Sequence, residues 1–279
     1  MNGITELFGL NCKMLGAGLR QTLKEQRCPF TGGKCIKTRK SQPKVAIGTC
    51  TVSYQDKDVV ICPFRLVEKR QIFMDCIHLL TLHEPGNLLY VIPEVAIPGG
   101  NVDYFLVSVK DGKVKDFVGI ELQTMDTTGT VWPERQRLLA KHGVKVLKRD
   151  VQNNRPFGMN WKMTAKTILV QLHHKAQTFE NLNRHLVLII QDPFLEYMMG
   201  EFTFGHVRGS RLGDTVHMHA YALEERLNKY DLSLSRRLST DVAGIAKCLG
   251  LQAEAKVAFE EIVTLLEAKL KDEFRLFIE

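Results

Sequence analysis

The chain has 279 residues, 44% of them hydrophobic and 25% charged, which is ordinary globular composition and excludes a disordered, collagen-like or low-complexity chain. A chain this long buries roughly three quarters of its unfolded surface, so a core forms without disulfide staples. Lys and Arg number 38 against 31 acids, a net charge of +7 that suits a polyanionic partner without identifying one. No apolar run reaches the ~18 residues of a membrane helix. Met1 to Leu15 lacks the basic start, apolar stretch and small-residue cleavage pattern of a signal peptide. The expectation is a cytoplasmic protein, in which seven cysteines serve metal binding, catalysis or plain burial rather than a disulfide framework.

The first seventy residues hold a basic cluster, Lys34, Lys37, Arg39, Lys40 and Lys44, with no acid among them, and Arg65, Lys69 and Arg70 follow. They also hold Cys28, Cys35, Cys50 and Cys62 in the pattern C-x6-C-x14-C-x11-C. The tight knuckles of common zinc sites are missing. Two of the four repeat a phrase, Cys28-Pro29-Phe30 and Cys62-Pro63-Phe64, as if two similar turns each offered a thiolate to a shared metal. Spacing alone leaves ordinary buried cysteines equally open.

From Ile72 the pattern is that of an α/β core. Val102 to Val109 and Val114 to Thr124 are β-rich runs joined through Lys110-Asp111-Gly112-Lys113, a hairpin turn. A helix is expected from Pro133 to Gly143, a favoured first-turn residue and a favoured stop, then a strand over Val144-Lys145-Val146-Leu147. Trp161, Ala165, Ile168, Leu172, Ala176 and Phe179 recur at three- and four-residue steps, so a long amphipathic helix packs on the sheet, with Lys162, Lys166 and His173 on its other side. Leu186 to Gln191 reads as a fully buried strand ended by Asp192-Pro193. Gly200 to Asp214 is a glycine-rich loop with His206, Arg208 and Arg211. Helices are expected after it, with apolar positions at Val216, Ala220, Leu223 and Leu227, and again along Phe259, Ile262, Val263, Leu266, Leu270 and Phe274.

Asp103 opens one arm of the hairpin, and Glu121 and Gln123 close the other. A two-residue Asp111-Gly112 turn pairs 103 with 120 and puts Glu121 on the opposite face. A three-residue loop with Gly112 left-handed pairs 103 with 119 and aligns Asp103, Glu121 and Gln123. Chemistry favours the second, because two carboxylates on one face close around a hard cation such as Mg²⁺, whose task list is that of phosphodiester hydrolysis.

Pro98-Gly99-Gly100-Asn101-Val102-Asp103-Tyr104, the hairpin and then Gly119-Ile120-Glu121-Leu122-Gln123 resemble the PD-(D/E)xK nuclease core, with Gln where Lys usually stands. Within that superfamily the chain is similar to the NotI-type restriction endonucleases, which share the Asp…Glu-x-Gln variant, a four-cysteine metal site ahead of the core and a downstream helix like Asn160-Trp161-Lys162-Met163-Thr164. The resemblance covers about residues 25 to 195. It implies Asp103 and Glu121 as Mg²⁺ ligands, Gln123 as the residue that positions the attacking water, and Glu94 as an additional acid. It also implies a closed, structural iron or zinc site on Cys28, Cys35, Cys50 and Cys62, leaving Cys12, Cys76 and Cys248 as buried thiols. A neutral amide at 123 orients water but brings no positive charge to the developing phosphorane.

The architecture implied is an α/β (α+β) restriction-endonuclease-like chain in three parts. Residues 1–70 form a basic, metal-binding lobe, 71–199 the nuclease core, and 200–279 a helical region for DNA contact or dimerisation. The function implied is Mg²⁺-dependent cutting of double-stranded DNA at a palindromic site by a homodimer, since two-fold DNA is most simply read by a two-fold protein. Lys37, Arg39, Lys40, Lys162, Arg208 and Arg211 are the candidates for DNA contact. Two other readings stay open: an inactive DNA-binding protein with the nuclease fold, and a nuclease for RNA or branched DNA. Packing or surface exposure on a helix is the expectation for His217 and His219, because neighbours two apart do not share a helix face.

Overall fold

In a computed structural model, which describes residues 2–16, 18–226, 229–251, 263–264 and 268, the main elements follow in chain order. They are β1 (Gly3–Leu7), α1 (Leu19–Glu25), β2 (Thr49–Tyr54), β3 (Lys57–Val60), β4 (Leu88–Ile97), β5 (Gly100–Lys110) and β6 (Lys113–Leu122). Then come α2 (Trp132–Lys141), α3 (Trp161–Asn181), β7 (His185–Gln191), α4 (Asp192–Glu201), β8 (Val216–Arg226), β9 (Lys229–Thr240) and α5 (Val242–Cys248).

The central sheet has the order β9-β8-β7-β6-β5-β4, with the short strand Arg208–Gly209 beside β9. β6, β7 and β8 run parallel, and the flanking pairs are antiparallel. Parallel neighbours need a crossover: α3 carries the chain from β6 to β7, and α4 carries it from β7 towards β8. Every residue of β7 is buried, as expected of a strand covered on both faces. Leu186, Leu188 and Ile190 face α3, where Ile168, Leu172, Ala176 and Phe179 meet them. Val187 and Ile189 face the opposite layer, built by Leu66, Ile72, Phe73 and Leu79. Each such side chain contributes about 1.5–3 kcal/mol by leaving water. α3 lies so close to β6 that a Cβ on Gly119 would run into the Phe179 ring.

β1, β2 and β3 form a second, antiparallel sheet, with Leu10–Asn11 at its edge. Val52 and Val59 join the core on the α3 side. β3 reaches the carboxyl ends of β6 and β7, where Val60 N donates to Gln191 Oε1 at 2.8 Å and Met125 N donates to Val60 O at 3.1 Å. The first sheet therefore abuts the end of the central sheet at which the acids stand.

Three expected elements take the expected form: α2 with Pro133 in its first turn and left-handed Gly143 beyond its end, the long α3, and the buried β7. Two do not. Val216, Ala220 and Leu223 lie on a strand, β8, paired on both sides, so the helical C-terminal region is corrected to a β8–β9 hairpin followed by α5. The apolar positions at 216 and 220 fit a two-residue period as well as a helical one, and the residues between them are buried too. Leu227 and most of the segment from Phe259 to Phe274 lie outside the described residues. Val144 to Leu147 forms no strand. Val144 and Val146 instead pack beside Leu138, in the small core of Leu7, Leu19 and Leu139.

Candidate active site

The β5–β6 turn is the two-residue Asp111-Gly112, with φ of 52° and 71°, the pairing of left-handed residues that a type I′ hairpin requires. Lys110 pairs with Lys113 and Val109 with Val114, but Ser108 pairs with Asp116. Lys115 is therefore an extra residue, a β-bulge. Beyond it the register runs to Tyr104 opposite Ile120, and the next step outward sets Asp103 opposite Glu121. This corrects the expected three-residue loop and its 103–119 pairing. The bulge, rather than a longer turn, brings the two acids to one face. Asp103 Oδ2 accepts from Leu122 N at 2.8 Å, which fixes the carboxylate at the mouth of β6.

Glu94 falls in the same row. Pro93 pairs with Tyr104 and Val95 with Val102, so Glu94 lies across from Asp103 on the edge strand, with a left-handed backbone at φ 52°. That conformation costs energy in any residue but glycine and gathers at functional sites. Burial, and then the Asp103 and Glu94 carboxylates, push the Tyr104 phenol up. Glu94 is exposed.

Glu121 is buried, and its Oε1 accepts from Lys175 Nζ at 2.7 Å, with both side chains less than a tenth exposed. Burial pushes the Glu121 carboxyl up to about 7 against the pull of Lys175, and Asp103 adds to the rise. Lys175 was missed in the sequence. The signal was present, since position 175 stands three residues after Leu172 and four before Phe179, inside the apolar stripe where an unpaired ammonium is costly. Gln123 sits just past the end of β6, its N–H donating to Ile189 O at 3.0 Å. Its side-chain amide turns back to donate to Thr124 O at 2.6 Å.

Cys28, Cys35, Cys50 and Cys62 all line one cavity of about 470 Å³, together with Lys37 and Phe64. Among the described residues no three His, Cys, Asp or Glu side chains are drawn into a metal-binding cluster. The donor set still fits a thiophilic metal, with four thiols on one cavity. Cys62 is pushed up by burial and by Cys35, and pulled down by Lys37. Cys50 is held high by burial, then by Glu6, and also feels Cys62 and Cys28. A bound metal ion would favour the thiolate forms that these neighbours disfavour. Cys12, Cys76 and Cys248 are buried, and desolvation raises each of them.

The basic candidates divide. Lys40, Arg208 and Arg211 are exposed. Lys37 Nζ donates to Ile61 O at 2.7 Å, and Lys162 pairs with Glu201 at 2.7 Å. Arg39 lies 4.5 Å over the Trp132 ring and pairs with Asp150 at 3.1 Å. His217 and His219 are not helical; both are fully buried on β8. Desolvation holds His217 down to about 4 and His219 to about 3, so each is a neutral part of the core.

The model of the NotI restriction endonuclease family matches residues 10–212, well over half of the chain and a span that holds the acid row, Lys175 and all four cavity cysteines. No curated protein matches the chain.

Proposed function

This chain belongs to the NotI restriction endonuclease family, and we propose from that membership and the acid pair that it hydrolyses both strands of a specific DNA site with Mg²⁺. The observation that carries the reading is the register that sets Asp103 opposite Glu121 at the carboxyl end of β6.

The residues fit a divalent cation. Two carboxylates share a face, one of them buried and repelled by the other, and such a pair is stabilised by a hard ion with oxygen preference. When bound, Mg²⁺ would polarise a phosphoryl oxygen, acidify a water and neutralise charge on the leaving oxygen. Asp103 and Glu121 would hold it, and Glu94 is the third acid of the row. Gln123 would align the attacking water after leaving its contact with Thr124 O.

Residues 1–70 would form the lobe that an iron or zinc ion on Cys28, Cys35, Cys50 and Cys62 shapes, a structural site because four thiolates leave no open position. The catalytic core, expected over 71–199, would run on to Thr240, because β8 and β9 complete its central sheet, and residues from 200 onward would also supply DNA or subunit contacts. Lys40, Arg208 and Arg211 would contact DNA directly. Lys37, Arg39 and Lys162 would join them by exchanging their present partners for phosphates. A homodimer would read a palindrome.

The turned-away Gln123 amide also favours a second reading, a DNA-binding protein without turnover. Cleavage assays and gel shifts on Asp103→Ala and Glu121→Ala separate the two. Loss of cutting with binding intact supports the nuclease, whereas a wild type that binds DNA and never cuts supports the second reading.

A further inference from the structure

We propose that Lys175 is the cationic residue of the active site, bringing from α3 the positive charge that Gln123 lacks; the inference rests on the nuclease reading above. Gln123 is neutral and its amide is engaged with Thr124 O. The ammonium that reaches the acid pair comes instead from the helix, 2.7 Å from Glu121 Oε1.

The fold is built to bring it there. The turn between β4 and β5 presses on α3 at this point. A Cβ on Gly99 would stand 2.7 Å from His174 O and 3.2 Å from Lys175 Cα, and one on Gly100 would stand 3.3 Å from Lys175 Cε. Both glycines have positive φ, 97° and 130°, so their lack of a side chain serves conformation and approach together. One turn on, Thr178 Oγ1 donates to Pro98 O at 2.7 Å. The Pro98-Gly99-Gly100 motif thus clamps α3 on both sides of Lys175 and directs its stem along the sheet to Glu121.

A buried Lys–Glu pair adds little stability over an apolar pair of the same volume. Lys175 differs from a purely structural partner in standing beside the acid row, where a buried charge favours a functional role. In the hydrolysis a water oxygen bonds to phosphorus and loses a proton, while the bond from phosphorus to the leaving oxygen breaks and that oxygen gains one. Lys175 transfers nothing. Its ammonium stabilises the negative charge that builds on the non-bridging oxygens, a role of fixed charge held in place by its burial against Glu121.

The test uses the full-length protein and single-turnover cutting of DNA with Mg²⁺, a gel shift in Ca²⁺, and Mn²⁺ affinity by calorimetry with Asp103→Ala marking the site. Lys175→Met is expected to slow cutting by about a hundredfold or more, while DNA and Mn²⁺ affinities stay within about threefold. Adding Gln123→Lys to that variant is expected to return about tenfold or more of the lost rate, because a positive charge returns to the site from the end of β6. Should Lys175→Met not fold, Lys175→Arg keeps the charge and is expected to cut, while Lys175→Gln keeps a donor alone and is expected to fail. Three results overturn the inference: near-wild-type cutting by Lys175→Met, parallel loss of Mn²⁺ affinity and cutting with no recovery from Gln123→Lys, or equal cutting by the Arg and Gln variants. A folded wild type that cuts no DNA overturns the nuclease reading itself, and this inference with it, and is told apart because the variants play no part in it.

Discussion

In the proposed site Glu121 would carry more of the chemistry than any other side chain. It faces Asp103 and receives Lys175, and its burial pushes its carboxyl up. Glu121→Gln keeps the shape and removes the charge, and cutting is expected to fall by more than about a hundredfold, some 2.7 kcal/mol of transition-state stabilisation, with the gel shift unchanged. His217 and His219 make the fold sensitive to acid. Their folded pKa values lie near 4 and 3, below the ordinary 6.5, so the unfolded chain takes up protons first as pH falls. The stability they give is present above about 6.5 and is lost on the way down, on the order of 2 kcal/mol per histidine at pH 5. Urea unfolding at pH 7 and pH 5 checks this, and His219→Met should reduce the difference by about that amount. Asp103, Glu121 and the four cysteines stood out in the sequence because their types and phrases are chemical. Lys175 did not, because its meaning depends on which face of α3 meets the sheet.

The elements explain why the acids meet. Asp111-Gly112 allows the type I′ turn, yet the sequence favours a three-residue loop in its place, because nothing in VKDFV marks the bulge at Lys115 as an extra residue. Without it, Glu121 would face the other side of the sheet. β8 was misread as helix for a related reason: a strand buried on both faces loses the alternation that identifies it. The contact between β6 and α3 is close at Gly119, where any Cβ would meet the Phe179 ring. Gly119→Val is therefore expected to cost about 1–3 kcal/mol as overpacking, measured by thermal or urea unfolding. It should also impair cutting, because it lifts the helix that carries Lys175 away from Glu121.

At the scale of the whole molecule, Arg65 ties the first sheet to the central one. It is fully buried and donates to Glu6 Oε2 at 2.8 Å, Glu68 Oε2 at 2.7 Å and Tyr230 O at 2.6 Å. Arg65→Met leaves the Glu6 carboxylate buried without its counter-charge, and a loss of about 3–5 kcal/mol is expected in urea unfolding. Elemental analysis of the purified protein should find about one iron or zinc per chain, as a closed four-thiolate site requires, and a well-folded metal-free protein would remove that site. The layered α/β core was legible because long periodic segments report burial directly, while the way the cysteine-bearing sheet joins the end of the central sheet depends on contacts remote in sequence. The proposed cutting depends on the acid pair at that junction. Its most direct test is digestion of a large, sequenced, unmethylated DNA with Mg²⁺, with Asp103→Ala beside the wild type. Discrete fragments from the wild type alone are the predicted result; intact DNA in both lanes, or the same fragments in both, would contradict it.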